Sequence, residues 1–260
     1  MKRYFQGAFL ACLALLLCML QLEASTGAIS WYTVRNKAHK QPIFGRDLSI
    51  VEEYDGFFID HKHANAEEER VVYLTFDAGY ENGNVARVLD VLKEKNVRGA
   101  FFILKHLVVA EPGLVLRMKN EGHTVCNHTA NHPDLSCADK ETVNRELQEL
   151  ENCYLELTGT PLAGFFRPPE GKFSIELLKT VSELGYKSVF WSFAYADWDN
   201  DRQPSPQKAL QCIMDNIHNG AVILLHPTSE TNATVLPVVI DELRSQGYRF
   251  GTLEELCGTV

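Results

Sequence analysis

From residue 71 onward, short apolar β-branched runs alternate with longer segments of helical spacing, and this alternation restricts the fold more than any other feature. Val71-Val72-Tyr73-Leu74-Thr75-Phe76 is a run of strand type. Residues 85–95 follow it with Val85, Val88, Leu89 and Leu92 on one helical face. The pattern then recurs. Strands are predicted at 99–104, 123–127, 164–167, 188–192, 221–226 and 249–253, and helices at 114–120, 140–157, 175–184, 206–217 and 235–246. Asp139 and Ser174 stand where N-caps belong. Pro206 suits a first helical position, and Gly122, Gly159, Gly185 and Gly247 suit helix stops. Seven strands alternating with helices predict an α/β fold with a parallel sheet and helices outside it. Nearly continuous apolar strands agree with burial on both faces. An open doubly wound sheet and a barrel both satisfy this pattern. Gly79-Tyr80-Glu81-Asn82-Gly83 has the wrong spacing for a dinucleotide-binding loop.

The first 70 residues are of another kind. Lys2 and Arg3 precede an apolar run over 8–22, too short for the roughly 20 residues a membrane-crossing helix needs. Residues 1–24 therefore read as an export signal, with Ala24 or Ala28 at the cleavage site. Left uncleaved, this segment would be the chain's one route to membrane association. Residues 25–69 are irregular, with Trp31, Tyr32, Tyr54, Phe57 and Phe58 among polar residues, and are expected to form an arm packed on the main domain, 70–260. Loss of residues 1–24 removes Cys12 and Cys18 and leaves five cysteines. An odd number without tight spacing indicates buried free thiols rather than a disulfide framework. The chain carries 34 acidic residues against 25 Lys and Arg, a net charge of −9. That balance argues against a nucleic-acid partner, which calls for a basic face.

In parallel α/β folds, sites collect at the carboxyl ends of strands. Those ends carry Asp77, His128 with His132, Arg167, Asp197 with Trp198, and His226. Each has an ordinary structural explanation when taken singly. Asp77 would cap the next helix, His226 would be a hydrogen-bonded core histidine, and Arg167 would pair with a loop carboxylate. His128 and His132, four residues apart, would share a face on one helical turn and could grip one divalent cation. Their recurrence at successive strand ends points to a catalytic site.

Together, Thr75-Phe76-Asp77-Ala78-Gly79, His128-Thr129-Ala130-Asn131-His132, Arg167-Pro168-Pro169-Glu170-Gly171, Asp197-Trp198 and Leu224-Leu225-His226 resemble the motifs of the polysaccharide deacetylase family, also called the NodB-homology or carbohydrate esterase family 4 domain. The resemblance covers about residues 70–256 and implies a distorted (β/α) barrel of about seven strands. Gly79-Tyr80-Glu81-Asn82-Gly83 and the segment 191–199 resemble, more narrowly, the sporulation deacetylases that lead to muramic δ-lactam in spore-cortex peptidoglycan. That implies an exported hydrolase at the cell wall. It would act on N-acetylmuramic acid in a glycan strand whose peptide stems are gone.

The resemblance implies roles as well. Asp77 is the general base, Arg167 orients it, His226 is the general acid and Asp197 favours its protonated form. Trp198, Pro168 and Gly171 shape the sugar site, and His128 and His132 hold a divalent metal such as zinc. Most members of the family have a second Asp after the first, as a third metal ligand. Here that residue is Ala78, whose methyl group binds no metal. Two alternatives follow: deacetylation of another N- or O-acetylated glycan of the chitin or xylan kind, and a non-catalytic glycan-binding module. A zinc peptidase fits less well, because Thr129 stands where a glutamate belongs after the first histidine.

Overall fold

The structure, a computed structural model, describes residues 27–64 and 69–258. The export segment predicted over 1–24 lies outside the described residues.

The chain enters with β1 (Ile29–Ser30), α1 (Arg46–Ser49) and β2 (Gly56–Phe57), joined by short 3-10 turns. The alternation then begins with β3 (Arg70–Ala78), α2 (Asn84–Glu94), β4 (Ala100–Ile103), α3 (Lys105–Ala110), α4 (Pro112–Asn120) and β5 (Thr124–Asn127). It continues through α5 (Lys140–Thr158), β6 (Ala163–Phe166), β7 (Lys172–Phe173), α6 (Ile175–Glu183), β8 (Lys187–Val189) and α7 (Pro206–Asn216). It ends with β9 (Ala221–Leu225), α8 (Glu230–Ser245), β10 (Tyr248–Phe250) and α9 (Leu253–Leu256).

Each predicted strand is present, and the sheet is parallel throughout. Its order is β10-β3-β4-β5-β6-β8-β2, with β9 also paired to β3. After β8 the chain reaches β9 through one isolated parallel bridge, Phe193 to Ile223. The sheet is therefore curled into an incompletely closed, distorted barrel. Strand alternation sends side chains to opposite faces. Val72, Leu74, Phe76 and Ala78 of β3 pack with α2 and α8 in the outer core. Val71 and Tyr73 pack inside the curl with Ala100, Phe102, Cys126 and Val189. The caps read from sequence are made: Asp139 accepts from the Thr142 amide at 2.8 Å and Ser174 from the Leu177 amide at 3.2 Å.

Four helices depart from expectation. The short α1, α3 and α9 were not anticipated. α8 starts at Glu230 rather than near 235, capped by Ser229, because the cap outweighs the polar Thr231-Asn232-Ala233-Thr234 run and Pro237 in its middle. The five described cysteines are free, but only Cys126 and Cys257 are buried; Cys137 is exposed and Cys153 and Cys212 lie between.

The leading segment is fixed by its aromatic residues. Trp31 stacks on Phe44 and Phe190, at 5.1 and 4.5 Å between centroids. Its indole donates to the Trp191 carbonyl at 2.8 Å, and its amide donates to the Gly171 carbonyl at 2.9 Å. Gly171 has φ +67°, and an added Cβ would lie 2.7 Å from the Trp191 ring and 2.9 Å from the Trp31 Cβ. Only glycine serves there, because it alone combines that φ with such close approach. Gly171→Ala is expected to destabilise the fold by about 1–3 kcal/mol. Urea denaturation followed by tryptophan fluorescence checks this, and an unchanged midpoint would contradict the tight packing.

Candidate active site

The site is assembled at the carboxyl ends of the strands around one buried guanidinium. Arg167 follows β6 and is 0% exposed. Its Nε donates to the Val189 carbonyl at 2.9 Å. Nη2 donates to Thr75 Oγ1 at 2.9 Å and to the Phe190 carbonyl at 3.3 Å. Nη1 donates to Asp77 Oδ1 at 2.7 Å. The guanidinium also lies over the Phe102 ring, 4.1 Å from its centroid. Burial alone would raise the pKa of Asp77, but the charge and hydrogen bond of Arg167 outweigh it and hold the carboxyl below the ordinary aspartate value.

The backbone carbonyl of Arg167 accepts from Nδ1 of His128 at 2.8 Å. With the proton placed on Nδ1, Nε2 of His128 presents its lone pair 3.5 Å from Asp77 Oδ2. Burial pushes the His128 pKa down to about 4, so the ring is neutral. His132 meets it edge to face, 5.0 Å between centroids. The two histidines are thus neighbours, but not on a helical turn as their spacing suggested. They sit on a loop in which Thr129 and His132 have φ of +77° and +58°. Positive φ is costly for a β-branched residue. Side-chain contacts over-determine the loop: Asn127 accepts from the Thr129 amide at 2.9 Å, and Glu146 from the amide and side chain of Asn131 at 3.0 and 3.1 Å.

Opposite, the His226 Nδ1 bonds Asp197 Oδ1 at 2.8 Å, and the His226 amide donates to Asp197 Oδ2 at 2.9 Å. Burial would lower the pKa of this imidazole, but the hydrogen bond and charge of Asp197 outweigh it and raise the pKa above the ordinary histidine value. Asn232 completes the pair. Its amide donates to Asp197 Oδ2 at 2.6 Å and to the His226 carbonyl at 3.0 Å, while its oxygen accepts from Tyr195. Sequence reasoning missed Asn232, because it lies in the first turn of α8 and not at a strand end, where site residues were sought. The residue is in fact buried, at 1% exposure.

These groups open onto a cleft of about 750 Å3. Asp77, His132 and His226 line it together with Trp198, Gly171 and Tyr195. Trp198 is 63% exposed, with its ring 6.5 Å from that of His226. Pro168 is buried behind the wall and does not line the cleft, since the chain turns outward only at Glu170. Trp31, Tyr32 and Arg35 also line the cleft, so the leading segment is part of the site and not only packed against the domain. Its cluster of aromatics was the available signal. Ala78 faces the outer core, on the opposite side of β3 from Asp77. Among the described residues, no group of three His, Cys, Asp or Glu could hold a metal.

An ionised carboxylate and a carboxylate-paired imidazole facing one cleft define a hydrolase of the acid–base kind, carried on a curled parallel sheet. The polysaccharide deacetylase family model matches residues 64–189. Peptidoglycan-N-acetylmuramic acid deacetylase PdaA of Bacillus subtilis (strain 168) is 39% identical over 229 residues, 88% of this chain and 85% of that protein. The solved structure of Bacillus subtilis PdaA, a family 4 carbohydrate esterase, matches with a TM-score of 0.84 at 38% identity, covering 90% of this chain and 98% of that one. A family 4 carbohydrate esterase from Bacillus anthracis matches with a TM-score of 0.73 at 34% identity, with the same coverage. The chain belongs to the polysaccharide deacetylase family, and it is a hydrolytic deacetylase.

The His226–Asp197 pair is expected to set the alkaline limb of activity. In Asp197→Asn, burial acts on the imidazole without its compensating charge. The alkaline limb of kcat/KM is expected to move to lower pH, while the acid limb assigned to Asp77 stays. A pH–rate profile checks this, and an unmoved alkaline limb would sink the assignment.

Proposed function

We propose that this protein removes the N-acetyl group of N-acetylmuramic acid in peptide-stripped peptidoglycan, at the cell wall, leading to muramic δ-lactam in spore cortex. The observation that carries this reading is the opposite bias of two groups in one cleft: Asp77 biased toward its ionised form by Arg167, and His226 toward its protonated form by Asp197. The 39% identity to a muramic acid deacetylase over most of both chains supports the choice of sugar.

Asp77 takes a proton from a water molecule as its oxygen attacks the acetyl carbon. Arg167, through its 2.7 Å hydrogen bond, keeps that carboxylate oriented and charged. When the C–N bond breaks, His226 gives its proton to the leaving nitrogen, and acetate and a free amine result. Condensation of that amine with the lactyl carboxyl group, with loss of water, closes the lactam. Trp198 offers an exposed ring beside His226 on which a sugar face can stack.

His128 and His132 suit a divalent metal in part. Nδ1 of His128 is committed to a carbonyl, which leaves Nε2 unprotonated as a donor beside the His132 ring. Asp77 is engaged by Arg167, and Ala78 supplies nothing. These two imidazoles would hold the ion, with water completing its shell, and affinity should be low for want of an anionic ligand. When bound, the ion would polarise the acetyl carbonyl.

Acetate release from peptide-stripped muramic glycan tests the reading. Asp77→Asn is expected to lose about 10²–10⁴-fold in kcat, and a chelator is expected to lower activity that micromolar zinc restores. Activity on chitooligosaccharide alone would move the substrate to another acetylated glycan. Glycan binding without acetate release at any metal concentration would leave a binding module.

A further inference from the structure

The cleft contains a cation that the acid–base chemistry does not use. Residues 32–35 run along its rim between two anchors. Trp31 is fixed on one side by Gly171 and Trp191. On the other, Lys37 pairs with Asp215 at 2.8 Å and His39 bonds the Ile217 carbonyl at 2.8 Å, at the end of α7. Tyr32, Thr33 and Arg35 of the stretch between them line the cleft.

The two acids of the cleft wall are already engaged. Asp77 is paired with Arg167, and Glu170 with Lys172 at 2.8 Å. Arg35 donates to Sγ of Cys212 at 2.8 Å, and it has no ion pair among the described residues. The chain as a whole is acidic, at −9, yet Arg35, which lines the cleft, has no carboxylate partner among the described residues and is left available to an external anion.

We infer that Arg35 is a specificity-determining residue that binds the lactyl carboxylate of the muramic acid residue being deacetylated. This inference rests on the substrate reading above. The lactyl ether and the N-acetyl group stand on adjacent ring carbons, so a sugar whose amide reaches Asp77 and His226 brings its carboxylate into the same cleft. A guanidinium matches a carboxylate with two parallel hydrogen bonds. A sugar with a plain hydroxyl at that carbon offers no charge. A muramic acid still carrying its peptide stem offers a neutral amide in place of the carboxylate. One contact thus selects muramic acid over N-acetylglucosamine, and stripped glycan over glycan that keeps its stems.

The test compares peptide-stripped muramic glycan with the same glycan after its carboxyl groups are reduced to primary alcohols. Wild-type protein is expected to prefer the carboxylate form. In Arg35→Gln the ratio of kcat/KM values for the two substrates is expected to fall about 10–100-fold, the worth of a charged hydrogen-bonded pair. The fall should lie in KM rather than kcat. Arg35→Lys should keep part of the preference, and added salt should erode it in wild type but not in Arg35→Gln. Thermal melting should be unchanged, since Arg35 is exposed. A preference that survives in Arg35→Gln, or an equal loss on both glycans, overturns the inference. Wild type that deacetylates both forms equally also overturns it while leaving the proposed reaction intact. Wild type that releases acetate from neither overturns both.

Discussion

The structure depends on the burial of one guanidinium. A charge with no solvent exposure costs several kcal/mol in desolvation unless every donor finds an acceptor. Arg167 comes close to that condition: four of its five N–H donors bond Thr75 and Asp77 of β3 and the carbonyls of Val189 and Phe190 at the end of β8. β3 and β8 are not neighbours in the sheet, since β4, β5 and β6 lie between them. The side chain therefore spans the inside of the curl and braces it. Its backbone, meanwhile, fixes the tautomer of His128. Curvature, the ionised state of the base and the orientation of the first histidine all follow from one satisfied charge.

The two ends of the cleft obey the same rule with opposite sign. Burial disfavours charge on Asp77 and on His226 alike. Each is shifted back toward its charged form because a partner of opposite sign is buried against it, Arg167 in one case and Asp197 in the other. Asp197 is itself held by Asn232, which comes from the first turn of α8, so the cap at Ser229 that starts this helix also positions the acid's support. A carboxylate that accepts protons and an imidazolium that donates them can coexist because their neighbours push their titrations apart.

What could be read from the sequence was what depends on local period. Apolar alternation gave the strands and their order along the chain. Strand ends then gave Asp77, Arg167 and His226, because parallel sheets place sites there. The histidine loop was misread as a helical turn because its shape comes from Asn127 and from Glu146, which lies 15 residues beyond Asn131, and not from its own spacing. Asn232 was hidden for a similar reason. Its role rests on a contact with Asp197, 35 residues away, which no local pattern announces. The placement of Tyr32 and Arg35 on the cleft was equally beyond reach, since it rests on the long-range anchoring of Trp31 by Gly171 and Trp191, more than 130 residues away.

The acidity of the chain now bears on recognition in a definite way. A net charge of −9 repels an anionic glycan at long range, and salt limits that repulsion to roughly 8 Å at physiological strength. Binding must then come from contacts shorter than the screening length. The cleft offers two kinds: exposed aromatic faces, at Trp198 and Tyr32, and a guanidinium without a carboxylate partner among the described residues, at Arg35. Aromatic faces accept any sugar ring, whereas the guanidinium discriminates by charge. Affinity and choice of sugar are therefore separable in this site, and the second depends on residues that precede the first strand of the alternation.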